Sequence, residues 1–301
     1  MIDLDALLEC VTTTSCLVTQ TTSGLIVGML LFLVAAGLTL IFGVLKIVNF
    51  AHGTFYMLGA YLAYTVFAMT GSYILSVLAG GLGMAIFGIV FERFLIRRVY
   101  GANVLMQLLI CYATVLICDD LVKIIWGPDF YAMGMPPEFQ VPPLFIAGGV
   151  VPPFYLVLIS VALVIGGGLA MVLGLTKIGK IIRAAAHNPD MVSALGINTT
   201  LLYSLVFAVG GMLAGIAGGL AAPVRSLTPG MGFSILIESF IVTVIGGMGS
   251  IGGALIAAVM LGLIRSFGTI GFPLFTEGLM YIAMIIILVL KPSGLFGKEI
   301  V

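Results

Sequence analysis

The chain has 301 residues, of which 61% are hydrophobic and only 8% are charged, with a mean hydropathy of +1.30. Soluble domains carry about 25% charged residues, so this composition excludes a water-soluble fold. The formal net charge is zero, which gives no indication of nucleic-acid binding. Apolar runs of about 20 residues, without the period-two alternation of a barrel, predict an all-α polytopic membrane protein with a single domain, residues 1–301.

The predicted elements follow a polar, threonine-rich lead-in, residues 1–23, whose acidic start argues against a cleaved signal peptide. Spanning segments are predicted at about 24–45, 54–70, 72–90, 104–125, 154–175, 201–222, 233–246, 251–267 and 275–290. A Pro-rich loop at about 127–153 follows the fourth segment, and a hydrophilic island at about 177–198 follows the fifth.

Three groups of basic residues determine the predicted orientation. They are Arg93, Arg97 and Arg98; Lys177, Lys180 and Arg183; and Lys291 and Lys298. The positive-inside rule assigns all three to the cytoplasm, so an even number of crossings must separate each pair. This parity requires the apolar run 233–264 to be divided at the glycine-rich stretch 246–253. It predicts about 8–9 transmembrane helices, a cytoplasmic C-terminus, and an extracytoplasmic N-terminus and Pro-rich loop. A re-entrant first element would reverse the side of the N-terminus.

The hydrophilic island carries the signals of a short helix. Asn188 is a good N-cap, Pro189 suits the first helical position, and Asp190 complements the positive helix end. Gly196 suits the position after the helix, where a left-handed conformation closes the last turn. One small apolar face is formed by Met191, Ala194 and Leu195. A capped, amphipathic helix between two membrane segments predicts contact with a partner protein.

The sequence contains no convincing motif for catalysis or for a bound cofactor. Residues 174–180 resemble a phosphate-binding loop, but Ile181 stands where Ser or Thr must reach magnesium. Residues 247–252 resemble a dinucleotide fingerprint without its βαβ unit. The two histidines form no catalytic or metal-binding set, and Cys111 and Cys118 are interpreted as small apolar residues. We therefore expect no enzyme activity, ATP site, metal or cofactor in this chain.

Few ionisable residues fall inside the predicted membrane segments, which argues against an ion-driven transporter. Glu238 either pairs with Arg225 or lies at the outer membrane interface. Asp119 and Asp120, together with Lys123, are interpreted as a solvated or interfacial group near the outer end of the fourth segment.

Two backbone patterns allow two interpretations each. Glycines at positions 211, 215 and 219 make a smooth helix face for internal packing or for a subunit interface. The stretch from Asn49 to Gly53 indicates either a broken helix lining a pathway or a helix N-cap at the cytoplasmic interface.

The stretch Asn49-Phe-Ala-His52-Gly53-Thr-Phe-Tyr56-Met-Leu-Gly59-Ala-Tyr61 resembles the signature of permease subunits of branched-chain amino-acid ABC importers, in particular the H-type (LivH-like) subunit. Residues 183–197 resemble the cytoplasmic coupling loop of that family. Residues 244–254 and the ending 291–297 also match, so the similarity runs from about residue 24 to the C-terminus.

The resemblance implies an ABC importer permease fold with at least one broken helix, in a bacterial or archaeal plasma (inner) membrane. It implies four kinds of protein or lipid partner: a second (M-type) permease, two ATP-binding cassette ATPases that bind ATP and magnesium, an extracytoplasmic solute-binding protein, and the lipid bilayer. Residues implied to dock on the ATPase are Arg183, Ala184, Asn188, Pro189, Asp190, Met191, Ala194, Leu195, Gly196 and Ile197. Residues implied to line the path are Asn49, His52, Gly53, Tyr56, Gly59 and Tyr61.

Some features depart from the family pattern, namely residues 44–46, the Pro-rich loop and the Asp119/Asp120 pair. Because of these departures, the sequence does not distinguish among three substrate classes: branched-chain amino acids, urea or short amides, and aromatic acids. A stand-alone secondary transporter is the alternative from a different class.

Overall fold

The structure is a computed structural model that describes residues 4–297, so the predicted cytoplasmic residue Lys298 lies outside the described residues. The helices are α1 (Leu4–Thr12), α2 (Thr14–Leu45), α3 (His52–Thr70), α4 (Tyr73–Phe94), α5 (Val104–Trp126), α6 (Pro153–Leu175), α7 (Lys177–His187), α8 (Pro189–Ala194), α9 (Thr199–Ala221), α10 (Met231–Gly246), α11 (Ile251–Gly271) and α12 (Thr276–Leu290). Strands β1 (Leu144–Ile146) and β2 (Gly149–Val151) form an antiparallel hairpin. Short 3-10 turns lie at Ile96–Val99, Pro137–Phe139 and Pro273–Phe275.

The helical, polytopic architecture predicted from composition is confirmed. Within residues 4–297, six helical segments are long and apolar enough to cross a membrane: α2, α4 with its following turn, α6, α9, α11, and the segment Pro273–Leu290. α3, α5 and α10 add helices of 19, 23 and 16 residues.

Helix α2 is the centre of the bundle. In the most apolar window of α2, 83% of the residues are buried, against 17% in α6 and 11% in the last segment. α2 packs against α9, α10 and α11 on one side and against α6 on another. Because few residues of α6 and α12 are buried, these two helices lie at the periphery of the bundle.

The glycine face of α9 packs inside the chain, so the internal-packing interpretation is confirmed. A Cβ on Gly211 would lie 2.5 Å from the carbonyl oxygen of Met84 in α4. One turn further along α9, a Cβ on Gly59 of α3 would lie 2.5 Å from the Cα of Gly215. Small residues let helix backbones approach this closely, and hydrocarbon cannot drive helix association by the hydrophobic effect.

The predicted division of the run 233–264 is also confirmed. α10 ends at Gly246 and α11 begins at Ile251, and the turn between them holds Gly247 and Gly249 at φ of 95° and 93°. The chain after α12 returns to this turn, because the amide of Leu295 donates a hydrogen bond to the carbonyl of Ile245 at 2.7 Å. Two of the stretches that carry the family resemblance therefore meet in space.

The opposite end of the bundle carries a small cap that the sequence did not predict. A disulfide joins Cys10 in α1 to Cys16 in the first turn of α2. The hairpin packs beside it, where the amide of Val150 donates a hydrogen bond to Oγ1 of Thr19 at 3.1 Å. We call this the hairpin end, and the end that carries α8 the α8 end. Cys111 and Cys118 are buried and unpaired, as expected.

Replacing Gly59 with Val is expected to separate α3 from α9 and to lower stability by about 1–3 kcal/mol, because the new side chain overlaps the backbone of Gly215. The thermal unfolding midpoint of the detergent-purified protein measures this. The matched control is Gly167→Val in α6, where a Cβ meets nothing within 4 Å. Equal midpoints for the two variants would contradict the packing described here.

Candidate coupling and translocation sites

Helix α8 has the N-terminal cap that the sequence predicted. Asn188 takes an extended conformation, and its Oδ1 accepts a hydrogen bond from the amide of Met191 at 3.0 Å. Pro189 is the first residue of the helix, and Asp190 stands in its first turn. These contacts satisfy amides that would otherwise lack a partner at the helix start.

The C-terminal end of α8 is a Schellman motif. Gly196 has a φ of 83°, its amide donates to the carbonyl of Ser193 at 2.9 Å, and the amide of Ile197 donates to the carbonyl of Val192 at 3.3 Å. These two hydrogen bonds form because Gly196, the residue after the helix cap, has a left-handed backbone conformation. A six-residue helix is thus held at both ends by local contacts.

The apolar residues of α8 divide between two faces. Val192 is 3% exposed and packs with Ala185 of α7 and Leu202 of α9. Met191 and Leu195 are 60% and 74% exposed. The face predicted from residues 191, 194 and 195 therefore points away from the bundle, and Val192, which anchors the helix, was not predicted to do so.

Helix α7 was not predicted as a separate helix, yet it supports α8 directly. Thr176 caps its start by accepting a hydrogen bond from the amide of Gly179 at 3.2 Å. The Arg183 guanidinium donates to the carbonyl of Leu173, one of the last carbonyls of α6. Arg183 thereby fixes the angle between α6 and α7, whereas its neighbour Ala184 is exposed.

A buried ionic cluster lies close to α8, and sequence reasoning treated its members only as a charge group. Glu92 is fully buried at the end of α4 and receives two hydrogen bonds from Arg97, at 3.1 and 2.8 Å. It also accepts hydrogen bonds from the hydroxyls of Tyr100 and Ser204, both at 2.6 Å. Because Ser204 belongs to the second turn of α9, the cluster ties α4 to the helix that directly follows α8.

The break between α2 and α3 lies inside the bundle rather than at its end. His52, the first residue of α3, contacts the carbonyl of Val34 through Nε2 at 3.1 Å. Val34 lies about three helical turns before the last residue of α2, or roughly 16 Å. Residues 46–51 therefore run back into the bundle without helical structure, and they begin with Lys46 in a left-handed conformation. Such backbone is tolerated at membrane depth only where protein covers it.

The polar side chains at this break are buried and only partly satisfied. Asn49 and His52 are fully buried, and Oδ1 of Asn49 accepts a hydrogen bond from the amide of Ala51 at 3.1 Å. Nδ2 of Asn49 and Nδ1 of His52 have no hydrogen-bond partner. Unsatisfied polar atoms inside an apolar bundle are costly, so this break is a candidate functional feature.

The other residues proposed to line the path occupy different positions. Gly53 packs on the backbone of Gly232 in α10, Gly59 packs on α9, and Tyr61 is buried beside Trp126. Tyr56 alone among this group lines a narrow cleft. The other residues around that cleft are Leu30, Leu31, Val34, Arg225 and Ile235.

Three charged residues from different elements meet beside the cleft. Oε1 of Glu238 in α10 lies 2.6 Å from Nη1 of Arg265 in α11. Its Oε2 lies 4.0 Å from Nη2 of Arg225 in the segment after α9. The side chain of Glu238 is only 13% exposed and lies between these two arginines, in agreement with the pairing interpretation. The sequence did not identify Arg265 as the closer partner.

Asp119 and Asp120, near the end of α5, lie in two different environments. Asp120 forms an exposed ion pair with Lys123 at 2.9 Å, as the solvated interpretation predicted. Asp119 instead approaches the first residues of α10, since its carboxylate lies 3.9 Å from the position of a Cβ on Gly230. A carboxylate near a helix start is favourable for the helix dipole.

A bundle of apolar helices that holds a helix break and paired charges inside it is the architecture of a membrane permease. Within residues 4–297, no group of His, Cys, Asp and Glu side chains could hold a metal ion. The chain belongs to the family described as branched-chain amino acid transport system permease components, which matches residues 20–289.

Curated relatives share nearly the whole length of the chain. The high-affinity branched-chain amino acid transport system permease protein BraD of Pseudomonas aeruginosa is 30% identical, over 93% of this chain and 95% of the relative. The permease protein LivH of Escherichia coli (strain K12) is 27% identical over the same shares. A probable LivH of Methanocaldococcus jannaschii is 28% identical over 91% of each. No solved structure is significantly similar.

Replacing Glu92 with Ala is expected to lower the stability of the protein by about 1–3 kcal/mol, because the donors of Arg97, Tyr100 and Ser204 then lose their acceptor. Thermal unfolding of the purified protein measures the loss. Arg93→Ala is the control, since this neighbouring charge is exposed. A Glu92→Ala variant as stable as the control would contradict a structural role for the cluster.

Proposed function

We propose that this chain is the membrane-spanning subunit of an ATP-driven ABC importer for branched-chain or other hydrophobic amino acids. The observation that carries the proposal is α8: a short helix, capped at both ends, whose exposed face presents Met191 and Leu195 away from the bundle. The names of the relatives support the substrate class, since they describe branched-chain amino acid transport.

The proposed assembly pairs this chain with a related M-type permease, two ATP-binding cassette ATPases and an extracytoplasmic solute-binding protein. ATP and magnesium bind to the ATPase subunits. The exposed face of α8 inserts into a groove on one ATPase, and the neighbouring residues from Arg183 to Ile197 complete the contact. The hairpin end, where Phe145 of β1 is 73% exposed, faces the binding protein.

The proposed topology has nine crossings, formed by α2, α3, α4, α5, α6, α9, α10, α11 and α12. The disulfide supports an extracytoplasmic N-terminus, because disulfides persist in oxidising compartments. An odd number of crossings then gives a cytoplasmic C-terminus, in agreement with the basic groups at the α8 end. The membrane is the plasma (inner) membrane of a bacterium or archaeon.

Motion of α8 reaches the bundle through two contacts. Val192 packs on Leu202 at the start of α9, and the Glu92 cluster ties the next turn of α9 to α4. Closure of the ATPases therefore displaces α9 and α4 together, and α3, which packs on both helices, moves with them. The proposed path runs along α3 and includes Asn49, His52 and Tyr56.

Reconstitution tests the proposed function. The complex in proteoliposomes is expected to accumulate radiolabelled leucine only when ATP and loaded binding protein are both present. Urea and an aromatic acid serve as alternative substrates. Leucine accumulation driven by an ion gradient, without ATP, would instead support the secondary transporter.

Replacing Gly196 with Val is expected to uncouple ATP hydrolysis from uptake while the bundle stays assembled. The residue has a φ of 83°, and a Cβ there meets nothing within 4 Å, so the strain is conformational and confined to the end of α8. Leucine uptake and ATP hydrolysis, measured on the same proteoliposomes, give the coupling ratio.

Gly196→Asn is the matched control, because Asn tolerates the left-handed conformation better than a β-branched residue. It is expected to retain most of the coupling. Normal coupling in Gly196→Val would count against the role assigned to α8.

A further inference from the structure

We infer that Arg225, Glu238 and the cleft beside Tyr56 form a transit site for an α-amino acid, in which the two charged residues bind the carboxylate and the ammonium group. This inference rests on the proposed function and deepens it. It assigns the substrate-recognising chemistry inside the membrane to particular residues of this chain.

The charges near the cleft do not balance. Two guanidinium groups, those of Arg225 and Arg265, face one carboxylate, that of Glu238. Among the described residues, no other carboxylate lies within 4.0 Å of either arginine. A surplus positive charge inside a membrane protein is expensive unless a ligand or a water-filled cavity compensates it.

The two ion pairs differ in how completely they are formed. Oε1 of Glu238 and Nη1 of Arg265 are 2.6 Å apart, which is a close ion pair between α10 and α11, although Nη1 lacks the orientation of a hydrogen-bond donor. Glu238 and Arg225 are 4.0 Å apart, which is too long for a hydrogen bond, and Oε2 of Glu238 has no hydrogen-bond partner. One acceptor and one guanidinium therefore remain available side by side.

An α-amino acid carries the complementary pair of charges. Its carboxylate suits the guanidinium of Arg225, which can donate two parallel hydrogen bonds, and its ammonium group suits Oε2 of Glu238. The buried Tyr56 and Arg225 line the same cleft. Neutral urea would leave both charges of the site unpaired.

The rest of the cleft is apolar. Leu30, Leu31 and Val34 of α2 line one side, and Ile235, one turn before Glu238 on α10, lines another. A branched aliphatic side chain fits these walls by simple burial of apolar surface. The arrangement of a charged pair beside aliphatic walls selects a hydrophobic amino acid over a polar one.

The position of the site agrees with a transit role. Glu238 stands near the middle of α10, about 10–12 Å from either end of the helix. The cleft has no room for a water molecule in this conformation, so an amino acid can enter it only if its walls move apart. Because α2 and α10 form its walls, their separation opens it.

The test uses the complete transporter in proteoliposomes with radiolabelled leucine and loaded binding protein. Arg225→Gln is expected to lower uptake about tenfold or more, because it removes a hydrogen bond between a charged side chain and the substrate carboxylate. The thermal unfolding midpoint is expected to stay near that of the wild type, because the pair it breaks is the loose one. Arg225→Lys is expected to restore part of the uptake.

Arg265→Gln is the contrasting variant, since it breaks the tight pair and is expected to lower the unfolding midpoint. The exposed Arg93→Gln is expected to change neither quantity. Wild-type uptake in Arg225→Gln would overturn the inference, and so would a parallel loss of uptake, hydrolysis and stability, which indicates a purely structural pair. Failure of the wild-type complex to import leucine would overturn the proposed function itself, and this inference with it.

Discussion

Direct contact between helix backbones at glycine is the constraint on which the rest of this structure depends. α9 meets α4 through Gly211, meets α3 through Gly215, and approaches α2 at Gly210. Inside a membrane, apolar side chains gain little by leaving lipid, so close packing must supply the association energy. Because three neighbours share one smooth helix, a displacement of α9 cannot be confined to α9. The glycines therefore make the bundle move as a unit.

The polar features are arranged around that packed centre. The Glu92 cluster fastens α4 to α9 at the α8 end, and the Glu238–Arg265 pair joins α10 to α11. In both pairs the carboxylate is the more deeply buried partner, and each pair favours one helix arrangement because a lone buried charge is costly. The non-helical segment 46–51 and the start of α3 hold two buried atoms without hydrogen-bond partners, Nδ2 of Asn49 and Nδ1 of His52.

Features set by local sequence could be predicted, and features set by distant contacts could not. The caps of α8 and the break at residues 246–253 depend on residues a few positions apart, so composition and spacing were sufficient. The partnership of Glu92 with Ser204 joins helices that are far apart in sequence, and the choice of Arg265 over Arg225 depends on how α10 packs against α11. The disulfide and the hairpin are exceptions, because their partners are close in sequence and they were nevertheless not predicted. The contact of the hairpin with α2, through Val150 and Thr19, does depend on distant residues.

The central claim is that the exposed face of α8 binds an ATPase. A photo-reactive amino acid at Leu195 tests it directly, when it is activated in native membranes and the product is identified by mass spectrometry. The same probe at Phe145, exposed at the hairpin end, is the control for position. The account predicts a covalent product with a cassette ATPase from position 195 and none from position 145. Products with lipid alone from position 195, or an ATPase product from position 145, would contradict it.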